Sequence, residues 1–219
     1  FFLYLFVVYS LKLLYNISVK GTDNMNNYDK INKILKKNNG IITTQMLTDR
    51  GIPSIYLTRM VKEGNLQRID RGIYSTEEVM LDDYFLLYER NQRLIFSFSS
   101  ALYLHELTDR IPYQPEITLP NTYNSSHIRE DVIIHKVVKK YYSLGRIIKK
   151  TMFGNEIACY DMERTICDIV RFRDKTDVEI FRKALIGYKN HPDRDYQKLR
   201  QYAKSMRISK QINNLLDVI

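Results

Sequence analysis

The sequence predicts an α+β protein: an N-terminal winged helix-turn-helix followed by a mixed α+β domain. Two observations carry that expectation. Helix-period segments and a hairpin pattern follow one another between residues 28 and 75, and from residue 77 onward short apolar runs alternate with further helical segments. A third observation, charge, bears on function. The chain of 219 residues has a formal net charge of +9 and a pI near 9.4. Residues 25–75 hold nine Lys and Arg against four Asp and Glu, residues 76–128 three against eight, and residues 129–219 twenty against twelve. Two basic regions flank an acidic one. A polyanionic partner follows, with nucleic acid the first choice and an anionic membrane surface the second.

The opening stretch FFLYLFVVYSLKLLYNISVKGTDN, residues 1–24, is apolar but interrupted by Lys12, and its apolar part is shorter than the roughly 20 residues that span a bilayer. It lacks the basic lead and small-residue cleavage site of a signal peptide. Three readings compete for it: an upstream extension outside the fold, with the natural start at Met25; a weak membrane anchor; and an added helix. The first is preferred.

YDKINKILKK then puts Tyr28, Ile31, Ile34 and Leu35 on one helical face with lysines opposite, and Gly40 supplies a left-handed stop. A second short helix starts at Thr43 or Thr44 and stops at Gly51. A third is capped by Ser54, faces inward through Leu57, Met60 and Val61, and ends at Gly64. LQRID and GIYST make a hairpin around Arg71-Gly72. If the third helix turns its apolar stripe inward, Tyr56, Arg59 and Lys62 lie opposite. That face suits the major groove, where Arg reads guanine edges and Lys neutralises phosphate. The hairpin becomes a wing whose Arg68 and Arg71, expected on one strand face, reach phosphate or the minor groove. Ser54 and Thr58 complete the candidate DNA-binding set. A solvated basic face with no ligand is the competing reading.

From residue 77 to 219, DDYFLLYER reads as a helix, IFSFSSALYLHELTD as a strand turning into a helix near Ser99 or Ser100, and EITL, DVIIHKVV and NEIACY as strands. DMERTICDIVRF reads as a helix capped by Asp161. DVEIFRKALIGY is amphipathic through Val178, Phe181, Ala184, Leu185 and Tyr188, and two further helices close the chain.

Within this order, IITTQMLTDRGIPSIYLTRMVKEGNLQRIDRGIY at 41–74, FSFSSALYLHELTD at 96–109 and YDMERTICDIVR at 160–171 resemble the AbiEi family of antitoxins from type IV toxin–antitoxin systems of phage defence. The resemblance covers about residues 28–175. It implies a winged helix that binds inverted repeats in its own promoter, as cooperating copies or a dimer. It also implies a C-terminal domain, residues 77–219, that counters a nucleotidyltransferase-like toxin without a stable complex. On the family pattern Tyr56, Arg59, Lys62, Arg68 and Arg71 fall on the DNA-contacting helix and wing, and no catalytic residue is implied.

Other chemistry is weakly signalled. HELTD lacks the second His of a metalloprotease, and His105 reads as structural; His127, His135 and His191 are isolated. Asp161, Glu163 and Asp168 offer a weak Mg²⁺ reading, countered by Asp161 as a cap and Glu163 and Arg164 as paired groups. No catalytic site, metal or cofactor is expected. Cys159 and Cys167 fit no zinc spacing, which suits two small apolar residues in a reducing cytoplasm. The stretch 135–150 carries Lys136, Lys139, Lys140, Arg146, Lys149 and Lys150 with Tyr141 and Tyr142 between clusters, a second basic surface for RNA or an extended DNA footprint. A solvated face is its rival. Three functional alternatives stay open: a ligand-sensing regulator without antitoxin role, a nucleic-acid enzyme, and a peripheral membrane protein anchored through residues 1–15.

Overall fold

The computed structural model describes residues 26–77, 79–126, 128 and 131–216. The expectations about residues 1–24, Met25 and His127 lie outside the described residues. The fold is α+β, an N-terminal winged helix followed by an α+β domain, and the chain divides into two compact units at the Met80–Leu81 junction.

In the first unit, α1 (Asn27–Lys37) is capped by the Asn26 side chain and carries Lys36 and Lys37 in its last turn, where they complement the helix dipole. Ile31, Ile34 and Leu35 are buried. Asn39 and Gly40 leave the helix with φ of 48° and 80°. Glycine is required at the second of these, because a Cβ there would stand 2.3 Å from Val79 Cγ2 and 2.6 Å from Thr76 Oγ1. β1 (Ile41–Thr43) follows, then α2 (Thr44–Thr48), capped by Thr43, whose hydroxyl accepts from Met46 N at 3.2 Å. α3 (Ile55–Lys62) buries Leu57 and Met60, while Val61 packs at the core's margin. Ser54 stands at the start of α3, but its side chain makes no capping bond and its backbone is already helical. The expected cap is therefore absent.

β2 (Gln67–Asp70) and β3 (Ile73–Ser75) form the hairpin, turned by Arg71 and Gly72, with Gly72 at φ 75°. β1 pairs antiparallel with β3, giving the order β1-β3-β2. Strand β1 escapes the sequence pattern: three residues are too short to show alternation, and their partner lies some thirty residues on.

The second unit starts with α4 (Asp83–Arg90), whose cap Asp82 is also bonded by Thr151 Oγ1 at 2.5 Å and Asn155 Nδ2 at 2.9 Å. β4 (Ile95–Phe96), α5 (Phe98–Leu104), β5 (Glu116–Pro120) and β6 (Ile133–Val137) follow. Next come α6 (Lys139–Tyr142), β7 (Arg146–Lys150), β8 (Glu156–Tyr160) and α7 (Met162–Arg171). A 3₁₀ turn (Arg173–Lys175), α8 (Val178–Asn190), α9 (Tyr196–Met206) and α10 (Ser209–Leu216) close the described chain. The sheet order is β6-β5-β4-β8-β7, with β5–β6 and β4–β8 parallel and β4–β5 and β7–β8 antiparallel.

Helix α7 is the centre of this unit. Every residue from Met162 to Val170 is buried, charged ones included, and α5, α8, α9 and α10 contribute to the cluster around it. Of the stripe expected on α8, Phe181, Ala184, Leu185 and Tyr188 are buried, but Val178 is 83% exposed. It occupies the first helical position, outside the packed turns. The helix expected near Ser99 or Ser100 begins at Phe98, and α6 and β7 resolve the stretch 139–150 more finely than its pattern allowed.

Candidate nucleic-acid interface

The helix-turn-helix of the first unit sets α3 with Leu57 and Met60 inward and Ser54, Thr58, Arg59 and Lys62 exposed. This follows from apolar residues three apart on one face and polar ones on the other. Tyr56 is a correction to the expected face. It is half-buried, packs on the core, and meets the Tyr28 ring edge-on at 5.2 Å. Arg59 lies over the other aromatic, its guanidinium carbon 5.6 Å from the Tyr56 ring centroid. Tyr56 thus packs at the margin of the core and carries Arg59 over its ring. A cation over an aromatic face gains roughly 0.5–1 kcal/mol at an exposed site. That is enough to bias a rotamer without holding it against a phosphate or a base.

The wing also departs from the expectation. A register irregularity separates Arg68 from Asp70, and Arg71 belongs to the turn, so the two arginines do not share a strand face. Arg68 is exposed, with its Nε donating to the Asp70 carbonyl at 3.2 Å, which holds the side chain back along its own strand. Arg71 is exposed at the tip, its backbone N–H donating to Asp70 Oδ1 at 2.7 Å. The geometry makes Arg71 the wing's leading cation and Arg68 a flanking one. Arg50, exposed in the turn before α3 and held by a hydrogen bond to the Met46 carbonyl at 2.9 Å, adds a further cation that sequence reasoning passed over. Its place in TDRG, between two helices, was the available signal.

The second basic stretch does not form one surface. Lys136 lies on β6 and Arg146, Lys149 and Lys150 on β7, the two opposite edges of the sheet. At about 4.8 Å per strand interval, the edges stand roughly 19 Å apart. Lys136 donates to the Tyr123 carbonyl at 2.6 Å and sits 5.7 Å from that ring's centroid, which Arg93 also faces at 5.7 Å. Lys139 and Lys140 are exposed on α6, while Arg146 and Lys150 are exposed on β7 with Lys149 half-buried between them. Of the intervening tyrosines, Tyr142 is tied into the fold by its hydroxyl, whereas the half-buried Tyr141 ring is faced by Lys140 and Arg171. Tyr142 donates its hydroxyl to the Arg93 carbonyl, and the Tyr141 carbonyl accepts from buried Arg164.

The carboxylates of α7 are bonded from within. Asp161 caps the helix and accepts from Tyr202 at 3.0 Å and Lys198 at 2.9 Å. Glu163 accepts from Lys198 at 3.1 Å, Tyr188 at 3.2 Å and the Asp195 N–H at 3.1 Å. Burial works against the Lys198 ammonium, yet the two carboxylates raise its pKa overall. Arg164 faces Asp168 through Nε at 3.0 and 3.1 Å. Among the described residues, no group of three His, Cys, Asp or Glu is placed to hold a metal ion, and no helix is long and apolar enough to cross a membrane. His105 is buried, and its Nε2–H donates to the Tyr160 carbonyl at 2.7 Å; a carbonyl only accepts, which fixes the tautomer. Burial lowers the pKa of His105 and raises that of Cys159 and of Cys167, the last to about 12, so both thiols stay protonated.

Residues 29–76 match the family model described as "Transcriptional regulator, AbiEi antitoxin". No curated protein matches the chain. Among solved structures the chain is similar to the crystal structure of the RV2827C protein from Mycobacterium tuberculosis. Identity there is 14%, 81% of this chain and 76% of that one are covered, and the TM-score is 0.43.

Proposed function

We propose that this chain, whose residues 29–76 carry the match to the AbiEi antitoxin regulators, is a DNA-binding antitoxin that represses its own toxin–antitoxin operon. Residues 25–76 read promoter inverted repeats, and residues 77–219 counter a nucleotidyltransferase-like toxin without a stable complex. The protein works in the cytoplasm, without enzymatic activity of its own, as part of a phage-defence operon. Two copies share an operator, by cooperation or dimerisation.

One observation supports this most: the helix-turn-helix and its wing each present an exposed cation, Arg59 beside its aromatic support and Arg71 at the turn. In a winged helix these are the two elements that approach duplex DNA, one entering the major groove and the other lying along the backbone. The reading is tested in cells with a reporter driven by the operon's own promoter, beside a toxin-growth assay. Wild-type chain lowers reporter output and restores growth. The double variant Arg59→Ala, Arg71→Ala derepresses the reporter while still restoring growth when supplied from an independent promoter. An unchanged reporter with the double variant would remove the repressor role, and no growth rescue by the wild type would remove the antitoxin role.

A further inference from the structure

The second unit holds a cleft that neither operator reading nor the basic residues use. A pocket of about 310 Å³ opens where the start of α5, strands β5 and β6 and the approach to α8 come together. One wall is aromatic: Phe98 and Phe172 meet edge-on with centroids 5.5 Å apart, and Phe172 is 37% exposed. Glu116 lines the same pocket. Ser99 Oγ donates to one of its carboxylate oxygens at 2.5 Å and His135 Nε2 to the other at 2.6 Å, while Ser100 Oγ accepts from its backbone N–H at 2.8 Å. The imidazole of His135 is stacked on Phe98 at 3.7 Å. Lys175 lines the same pocket, with its ammonium 6.0 Å from the Phe172 ring centroid. Ser99 and Glu116 are shared with a second hollow of about 180 Å³ that Arg110 lines.

The wall is built at a conformational cost. Phe98 has φ 47°, the left-handed region that a bulky aromatic side chain rarely adopts, and such outliers cluster at ligand sites. This backbone turn sets the Phe98 ring against His135 and, through it, orients Glu116. A carboxylate has about four lone-pair sites, and two are filled here, so two remain for a ligand. An aromatic wall, a fixed carboxylate with spare acceptor capacity and a cation beside them suit a heterocycle that carries adjacent N–H donors and a phosphate. The volume lies at the lower end of small-ligand pockets, which run from about 300 Å³ upward.

We propose that this cleft binds a guanine nucleotide, its base against the Phe98–Phe172 wall, its N1–H and N2–H on Glu116 and its phosphate towards Lys175. Guanine presents those two donors side by side. Adenine places an acceptor beside its donor, which faces the carboxylate unfavourably. The site goes beyond the operator-binding function and does not depend on it.

Calorimetric titration of the full chain with GMP, AMP and inorganic phosphate tests it. GMP binds saturably, AMP binds at least about tenfold more weakly, and Glu116→Gln and Phe172→Ala each lose at least about tenfold for GMP with unchanged circular dichroism. Phe172 is partly exposed and Gln keeps the shape of Glu, so both variants report on the site. A short single-stranded RNA ending in guanosine separates the two sources: competition at lower concentration than GMP assigns the ligand to RNA, and weaker competition assigns it to the free nucleotide. No saturable heat with GMP or the RNA at about 5 mM, or GMP affinity unmoved by Glu116→Gln, overturns the proposal.

Discussion

Replacing Asp168 by Ala strands a buried guanidinium, and the cost can be worked from its surroundings. Arg164 is 1% exposed in its side chain and Asp168 5%, and they are joined through two contacts at 3.0 and 3.1 Å. Burial pushes the Asp168 carboxyl up, to about 6, against the pull of Arg164. The pair as a whole therefore adds little over a well-packed apolar substitute, but either partner alone is costly. Removing one partner of a buried pair costs about 3–5 kcal/mol. Arg164 would keep the Leu144 carbonyl at 2.9 Å, the Tyr141 carbonyl at 2.5 Å and the Tyr160 ring at 4.3 Å. The low end applies, about 3 kcal/mol, and at roughly 3 °C per kcal/mol for a unit of this size the melting temperature falls by about 10 °C. Thermal unfolding of the full chain by circular dichroism reads the shift. The paired substitution Arg164→Met with Asp168→Leu recovers most of the loss, because no charge is left uncompensated. A loss under about 1 kcal/mol for Asp168→Ala, or a double variant as unstable as the single one, would refute the reasoning.

Further outcomes follow from other sites. Burial holds the pKa of His105 below its ordinary 6.5, so the stability it supports is full above pH 6.5 and drains as pH falls below that value. The drain is at most about 1.4 kcal/mol per pH unit, so the wild-type melting temperature drops more between pH 7.5 and 5.5 than that of His105→Gln. Equal drops would remove His105 from the acid response. Gly72→Ala forces a Cβ to 2.8 Å from Thr44 Oγ1 at φ 75°, costing the first unit roughly 1–3 kcal/mol and weakening DNA binding, as a denaturation curve beside a binding titration would show. Charge reversal in pairs, Lys139→Glu with Lys140→Glu and Lys149→Glu with Lys150→Glu, leaves folding intact. If either α6 or the β7 edge carries neutralisation, only the corresponding pair abolishes it in the toxin-growth assay. Both pairs neutral would exclude these lysines.

Much of the architecture was legible because it is written in local chemistry. The caps Thr43 and Asp161, the Arg71-Gly72 turn and the spacing of Leu57 and Met60 each act within four residues, and each is where the sequence indicates. What failed was non-local or steric. β1 exists because β3 pairs with it, and Tyr56 is drawn inward by Tyr28, which lies on a different helix. The basic stretch 135–150 looked continuous because it is continuous along the chain, yet the sheet order carries its ends to opposite edges. Helix α7 hides its role for a related reason. It is buried on all sides, and although Glu163 and Arg164 were expected to be paired, the partners of Glu163, Lys198 and Tyr188, come from later helices that the local pattern does not reveal. The Glu116 cleft had no signal at all, since Ser99, Glu116 and His135 are each unremarkable in sequence and meet only through the sheet.

The most direct measurement is a binding titration of the full chain against duplex DNA from upstream of its own gene, at two salt concentrations, beside Arg59→Ala with Arg71→Ala. Saturable binding is expected that exceeds binding to unrelated duplex, weakens steeply with salt, and is much weaker in the double variant. The salt slope should also be shallower by about 0.9 for each phosphate contact removed. Equal affinity for unrelated DNA, or an unchanged isotherm for the double variant, would contradict that expectation.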